Sequence, residues 1–105
     1  MSFRWPNKDP DEVLDYSVDW SRFLNGATIS TVAWYVDNAS GVKTAIAAGQ
    51  TVNGIQNVAQ TISNGVATIN LGLGTNNVEY KFTCRITDNS GNIAERVIRL
   101  RIKEQ

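Results

Sequence analysis

Few residues in this chain have the chemistry to act on another molecule, and their spacing argues against catalysis. The sequence contains no histidine, which removes the usual general base and the commonest metal ligand together. Ser-His-Asp chemistry falls with it. Cys84 is the single cysteine, and it shares an alternating face with Phe82 and Ile86, so it reads as a buried structural thiol. One cysteine closes no intrachain disulfide and builds no thiolate cluster. Gly72-Leu73-Gly74 opens like a phosphate-binding loop, but Asn77 stands where the third glycine belongs and no helix follows. The acidic run Asp9, Asp11, Glu12, Asp15 lacks the spacing of a calcium loop, and Pro10 stiffens it. Helix capping or contact with a partner is the better use of these carboxylates. Trp5, Trp20 and Trp34 together suggest a sugar-stacking platform. Trp20 and Trp34, however, share the apolar parity of their strands, which points to the core. Trp5 lies near Phe3 in a stretch without periodicity, where an aromatic pair serves as an anchor for a partner. The residues therefore predict a protein that is not an enzyme, with no cofactor and no metal.

Ten basic and ten acidic residues give no net charge, which argues against nucleic acid or an anionic membrane as partner. No run of about 18 apolar residues is present to span a membrane, and Met1 to Pro6 lacks the apolar region of a signal peptide. At 105 residues the chain is sized for one domain. Its elements are those of β structure. Tyr80, Phe82, Cys84 and Ile86 alternate with Lys81, Thr83, Arg85 and Thr87, the period of a half-buried strand. Asp88 to Asn92 forms a turn, and Ile98, Leu100 and Ile102 resume the alternation, completing a hairpin. Val66 to Leu71 is a further strand with Ala67, Ile69 and Leu71 inward, and Asn64-Gly65 is the hairpin turn before it. Residues 44–62 read as two weaker strands broken near Gly49 and Asn53-Gly54. Ile29 to Val36 is a strand with Val32, Trp34 and Val36 on one face.

Asp9-Pro10-Asp11-Glu12 carries the marks of a helix start. The following Leu14, Tyr16, Val18 and Trp20 alternate with Asp15, Ser17 and Asp19, a strand pattern. At most one helical turn is expected, then a strand, with another short turn of helix over Ser21 to Leu24. The expected fold is an all-β, Ig-like antiparallel β-sandwich of about seven strands without a disulfide. Residues 1–12 form an N-terminal arm and residues 13–105 the domain.

Charge is unevenly placed. Asp9, Asp11, Glu12, Asp15 and Asp19 gather in the first strand region, and Arg96, Arg99, Arg101 and Lys103 in the last. Were these strands neighbours, Asp15 and Asp19 would oppose Arg99 and Arg101; otherwise both are solvated faces. Between Lys43 and Glu79 no residue is charged. A neutral polar β surface suits burial against another subunit, the reading favoured here over an uncharged but exposed sheet.

The stretch from Lys8 through Asp9-Pro10-Asp11-Glu12-Val13-Leu14-Asp15-Tyr16 to Trp20-Ser21 resembles the opening of small tailed-phage virion proteins known as fiber–tail adaptors or related minor tail components. Thr28-Ile29-Ser30 with Val32-Ala33-Trp34 is similar to their next strand. Val66-Ala67-Thr68, Gly74-Thr75, Tyr80, Ile86-Thr87, Gly91 and Glu95-Arg96 through Leu100-Arg101 are similar to their closing strands. Residues 38–63 lie outside the resemblance. It implies a structural subunit of a bacteriophage virion, made in the host cytoplasm and joining tail or neck to fibers. It brings no catalytic residues. Other tail, neck or fiber proteins are the implied partners, and a multi-copy assembly such as a ring is expected. Phe3 and Trp5 would anchor in a neighbour, while Asp9, Asp11, Glu12, Asp15 and Asp19 would dock or orient it. A capsid decoration or head–tail connector protein is the alternative of the same kind, and a carbohydrate-binding host-recognition module the alternative of another.

Overall fold

The computed structural model describes residues 3–104, with Phe3 described by its backbone alone. Among the described residues nine strands and one short helix follow one another. They are β1 (Phe3–Arg4), β2 (Leu14–Asp19), α1 (Ser21–Leu24), β3 (Ile29–Asp37), β4 (Lys43–Ala45), β5 (Thr51–Val52), β6 (Ile55–Ser63), β7 (Val66–Leu73), β8 (Glu79–Asp88) and β9 (Ile93–Arg101). One sheet has the order β1-β9-β8-β3-β4 and the other β2-β7-β6-β5. Among the described strands the pairings are antiparallel except that of β1 with β9, which the parallel bridge Lys8↔Ile102 continues. Two facing sheets around one apolar layer are compatible with an immunoglobulin-like sandwich.

The period-two pattern decides which side chains fill that layer. Ala67, Ile69 and Leu71 of β7, Phe82, Cys84 and Ile86 of β8, Trp34 and Val36 of β3, and Tyr16 and Val18 of β2 are all buried. The hairpin β8–β9 keeps one register from Glu79↔Arg101 to Thr87↔Ile93. The β6–β7 turn uses Asn64 and Gly65 at φ 50° and 79°, the pair of positive dihedrals that a two-residue hairpin of this hand requires. Asn53-Gly54 repeats the device between β5 and β6 at φ 52° and 83°. The two weak strands expected over 44–62 are three: β4, β5 and β6.

The N-terminal segment departs from expectation. Met1 and Ser2 of the expected arm lie outside the described residues. From Phe3 onward the chain is docked: β1 pairs with β9 in the register Phe3↔Ile98 and Arg4↔Arg99. The docking continues as Trp5 N–H donates to Arg99 O (2.9 Å), Lys8 N–H to Arg101 O (3.0 Å) and Lys103 N–H to Lys8 O (2.8 Å). The segment so covers the edge of β9 and satisfies its backbone groups. At Asp9 to Glu12 the helix-start signature closes a single turn and no helix. Glu12 N–H donates to Asp9 O (3.0 Å), and Asp9 N–H donates to Glu12 Oε1 (2.8 Å). Only the Glu12 half of a capping box is made, since the Asp9 carboxylate accepts from Asp11 N–H instead, and the turn is ended at once by the strand pattern that begins at Leu14.

Candidate functional site

Trp5 is the clearest correction to the sequence reading. It is 8% exposed, with its ring 4.9 Å from Tyr16, 5.6 Å from Phe82 and 6.0 Å from Trp34. Its Nε1 donates to Ser17 O at 3.2 Å. Burial against three aromatic rings makes Trp5 a core residue of its own chain, so it is no free anchor. The side chain of Phe3, its expected companion, lies outside the described residues. Trp20 and Trp34 are 1% and 2% exposed, as their parity implied, so none of the three indoles offers a sugar-stacking face.

The acidic residues divide into two groups along β2. Asp9, Asp11 and Glu12 occupy the turn before the strand, where Asp11 N–H donates to Asp9 Oδ1 at 2.8 Å. Asp15 and Asp19 point outward from β2 on the face opposite the core, and Asp11, Glu12, Asp15 and Asp19 are all exposed. Asn70 of β7 donates Nδ2 to Asp15 Oδ1 at 2.8 Å. Asp19 accepts from Ser21 N–H at 2.9 Å, and this bond, aided by Arg96, holds its carboxyl below the usual range. Asp9, Glu12, Asp15 and Asp19 therefore each accept a local hydrogen bond, while the carboxylates of Asp11, Glu12, Asp15 and Asp19 stay exposed.

Beneath the acidic turn lies Lys8, to which the sequence analysis assigns no role of its own. It is fully buried, and its Nζ donates to Asp9 O at 2.8 Å and Leu73 O at 2.6 Å. Loss of hydration lowers its pKa, while Glu12, Asp9 and Asp11 work against the shift. The buried ammonium ties the acidic turn to the end of β7. No periodic signal marks a lysine for that task.

The expected opposition of Asp15 and Asp19 to Arg99 and Arg101 does not occur. β2 belongs to the other sheet and pairs with β7, with Asp15 facing Asn70 and Asp19 facing Val66. The strand beside β9 is β1, whose Arg4 bonds Glu79 at 2.6 Å, and Arg99 stands 4.0 Å from the same carboxylate. Between β2 and the β1–β9 edge the sheets part, leaving a cleft of about 260 Å³. Trp5, Val18 and Ile98 line it with Arg4, Asp19 and Arg96. Of the residues expected from the sequence to meet a partner, the cleft brings Trp5 and Asp19 together. Asp9, Asp11 and Glu12 lie at the other end of β2, and Asp15 faces solvent between the two groups. Arg96 also stacks over Trp20, 4.8 Å from the ring centroid, a position that charge counting along the last strand did not reveal.

The arrangement offers recognition: an apolar floor edged by charges of both signs, next to the exposed carboxylates of Asp15 and Asp19 on β2. A comparison with protein families matches residues 8–101 to the family described as podophage GP4 fiber-tail adaptor protein gp77. No curated protein matches the chain significantly.

Proposed function

The chain belongs to the podophage GP4 fiber-tail adaptor family, and from that premise we propose that it joins tail and fiber proteins through the β2 side of its sandwich. Asp11, Glu12, Asp15 and Asp19 form the charged part of that surface, and the cleft floored by Trp5 takes an apolar group of the partner. Function here is adhesion by shape and charge in a virion tail, with several copies working together and no bond made or broken in a substrate. The observation that carries the reading is the family match, which begins at Lys8 and so takes in the acidic turn and the whole of β2. Pairing with β7 from Leu14 to Asp19 holds β2 extended, so little backbone ordering entropy is lost when a basic partner docks. Trp5, first expected to plug into a neighbour, instead shapes the receiving cleft from below.

Incorporation into particles tests this. The double variant Asp11→Lys, Asp15→Lys changes two exposed carboxylates and no core contact, so its melting should stay close to that of the unaltered protein. Particles assembled with it should carry at least about tenfold fewer copies, since juxtaposed like charges suppress docking. Wild-type occupancy by the folded variant would remove the acidic surface from the proposal.

A further inference from the structure

The two sides of the sandwich treat their strand edges differently. On one side β2 carries Asp15 and Asp19, and β9 is covered by the docked segment from Phe3 to Lys8. Charges and covering chain are the usual means of keeping edges from pairing with other molecules. On the other side the cover is partial, and Lys43 of β4 is the one charge on the strands that supply it. β5 pairs with β6 only at Thr51↔Gln56 and Val52↔Ile55, and the 46–50 loop bonds Asn57 through Gly49 N–H and Gln50 O. From Val58 to Ser63, β6 has no partner on that side among the described residues. In the facing sheet β4 covers β3 only from Tyr35 to Asp37, and Ile46 N–H bonds Trp34 O, which leaves Ile29 to Ala33 uncovered as well.

Both free edges are uncharged: Val58-Ala59-Gln60-Thr61-Ile62-Ser63 and Ile29-Ser30-Thr31-Val32-Ala33. Val58 and Ile62 are 42% and 40% exposed. Ile62 stands opposite buried Ala67, so it has the parity of a core residue, yet nothing closes over it. A cleft of about 310 Å³ lies between the edges, lined by Val32, Ala33, Ala45, Ala47, Ala48 and Gln60.

We infer that the free edge of β6 pairs antiparallel with β6 of a second copy of this chain, extending the four-stranded sheet across a two-fold axis. The edge itself selects the occupant. A row of unpaired N–H and C=O groups calls for an extended strand, and the lack of charge calls for a neutral one. A second β6 is both, and it is already held extended by β7. It therefore avoids the ordering cost that a flexible foreign segment would bear. Centred on Thr61, the pairing sets Ala59 against Ser63 and Gln60 against Ile62 of the second copy, with no charge opposed to like charge. The same axis brings the two uncovered β3 edges toward each other and closes both clefts. The β2 strands of the two copies lie five strand spacings apart, about 24 Å at the usual spacing, so repulsion of Asp15 and Asp19 across the junction is weak. An isologous contact of this kind closes at two copies. It concerns the purified chain and stands or falls independently of the adaptor reading.

Sedimentation of the purified protein from about 1 µM to about 1 mM should show a monomer–dimer equilibrium. Thr61→Lys, which sets two ammonium groups against each other at the axis, should raise the dimer dissociation constant at least about tenfold. Ser17→Lys, the same charge at the guarded edge, should leave it unchanged. Amide hydrogen exchange on the unaltered protein reads the contact without any substitution: Val58 to Ser63 should exchange at least about tenfold more slowly in the dimer. A monomer at every concentration overturns the inference, including the case where β6 becomes protected only when another virion protein is added. Dimerisation of folded Thr61→Lys with wild-type affinity, or protection confined to another surface, overturns it too.

Discussion

At the scale of single residues, burial sets the chemistry of the few titratable groups inside the sandwich. Cys84 is fully buried, and loss of hydration pushes its thiol up from the ordinary 9.0 to about 12. An unfolded chain loses that proton near pH 9 while the folded chain keeps it, so the folded state binds more protons between pH 9 and about 12. Stability must fall as pH rises through this window, with a limiting slope of about 1.4 kcal/mol per pH unit. Tyr16, raised to about 12 by burial and then by Glu12, adds to the fall above its ordinary value of 10.0. Lys8 acts in the opposite sense: its lowered pKa means that the unfolded state binds the extra proton, so stability gains up to pH 10.5. Urea melts from pH 8 to 11 should show Cys84→Ala losing stability less steeply than the parent above pH 9. Equal slopes in the two proteins would show that the thiol does not ionise on unfolding as described.

At the scale of elements, legibility followed locality. β7, β8 and β9 were readable because alternation lies within one strand and each turn carries its own Asn, Asp or Gly. The register of β8–β9 came with the turn. The segment before Asp9 was not readable, since β1 is two residues long and is fixed by pairing with a strand more than 90 positions away. A parallel edge pairing leaves no period in sequence. Trp5 looks like a free aromatic for the same reason, and Lys8 carries no local mark because the partner that gives it value, the carbonyl of Leu73, is distant in sequence. The acidic residues were legible as a group, but not the strand they face. Which sheet β2 joins is a long-range fact, and it decided against the pairing with Arg99 and Arg101. The docked segment can be tested by Trp5→Ala, which removes an indole packed on Tyr16, Trp34 and Phe82. Large-to-small changes at such sites cost about 3–5 kcal/mol, so denaturant melting should show a loss in that range. A loss below about 1 kcal/mol, the level of an exposed site, would mean that the segment is an undocked arm.

At the scale of the whole molecule, the division of charge between two sides assigns two kinds of contact to one small sandwich. In the two proposals, the acidic residues of β2 would meet a partner through charge, and the neutral edge of β6 would meet another copy through backbone hydrogen bonds and apolar cover. Charge contacts between exposed groups fade as the Debye length shortens from about 10 Å at 0.1 M salt to about 3 Å at 1 M. Backbone pairing in an uncharged edge has no such dependence, and burial of Val58 and Ile62 is strengthened, if anything, by salts that are excluded from protein surfaces. The two contacts should therefore separate on a salt axis. Raising sodium chloride from about 0.05 M to about 0.5 M should weaken capture by the tail or fiber partner at least about tenfold, mainly through slower association. Over the same range the self-association constant should change less than about twofold. Dissociation of the self-contact in parallel with partner release would mean that charged groups carry both. The neutral stretch between Lys43 and Glu79 would then have to be explained by something other than pairing at the β6 edge.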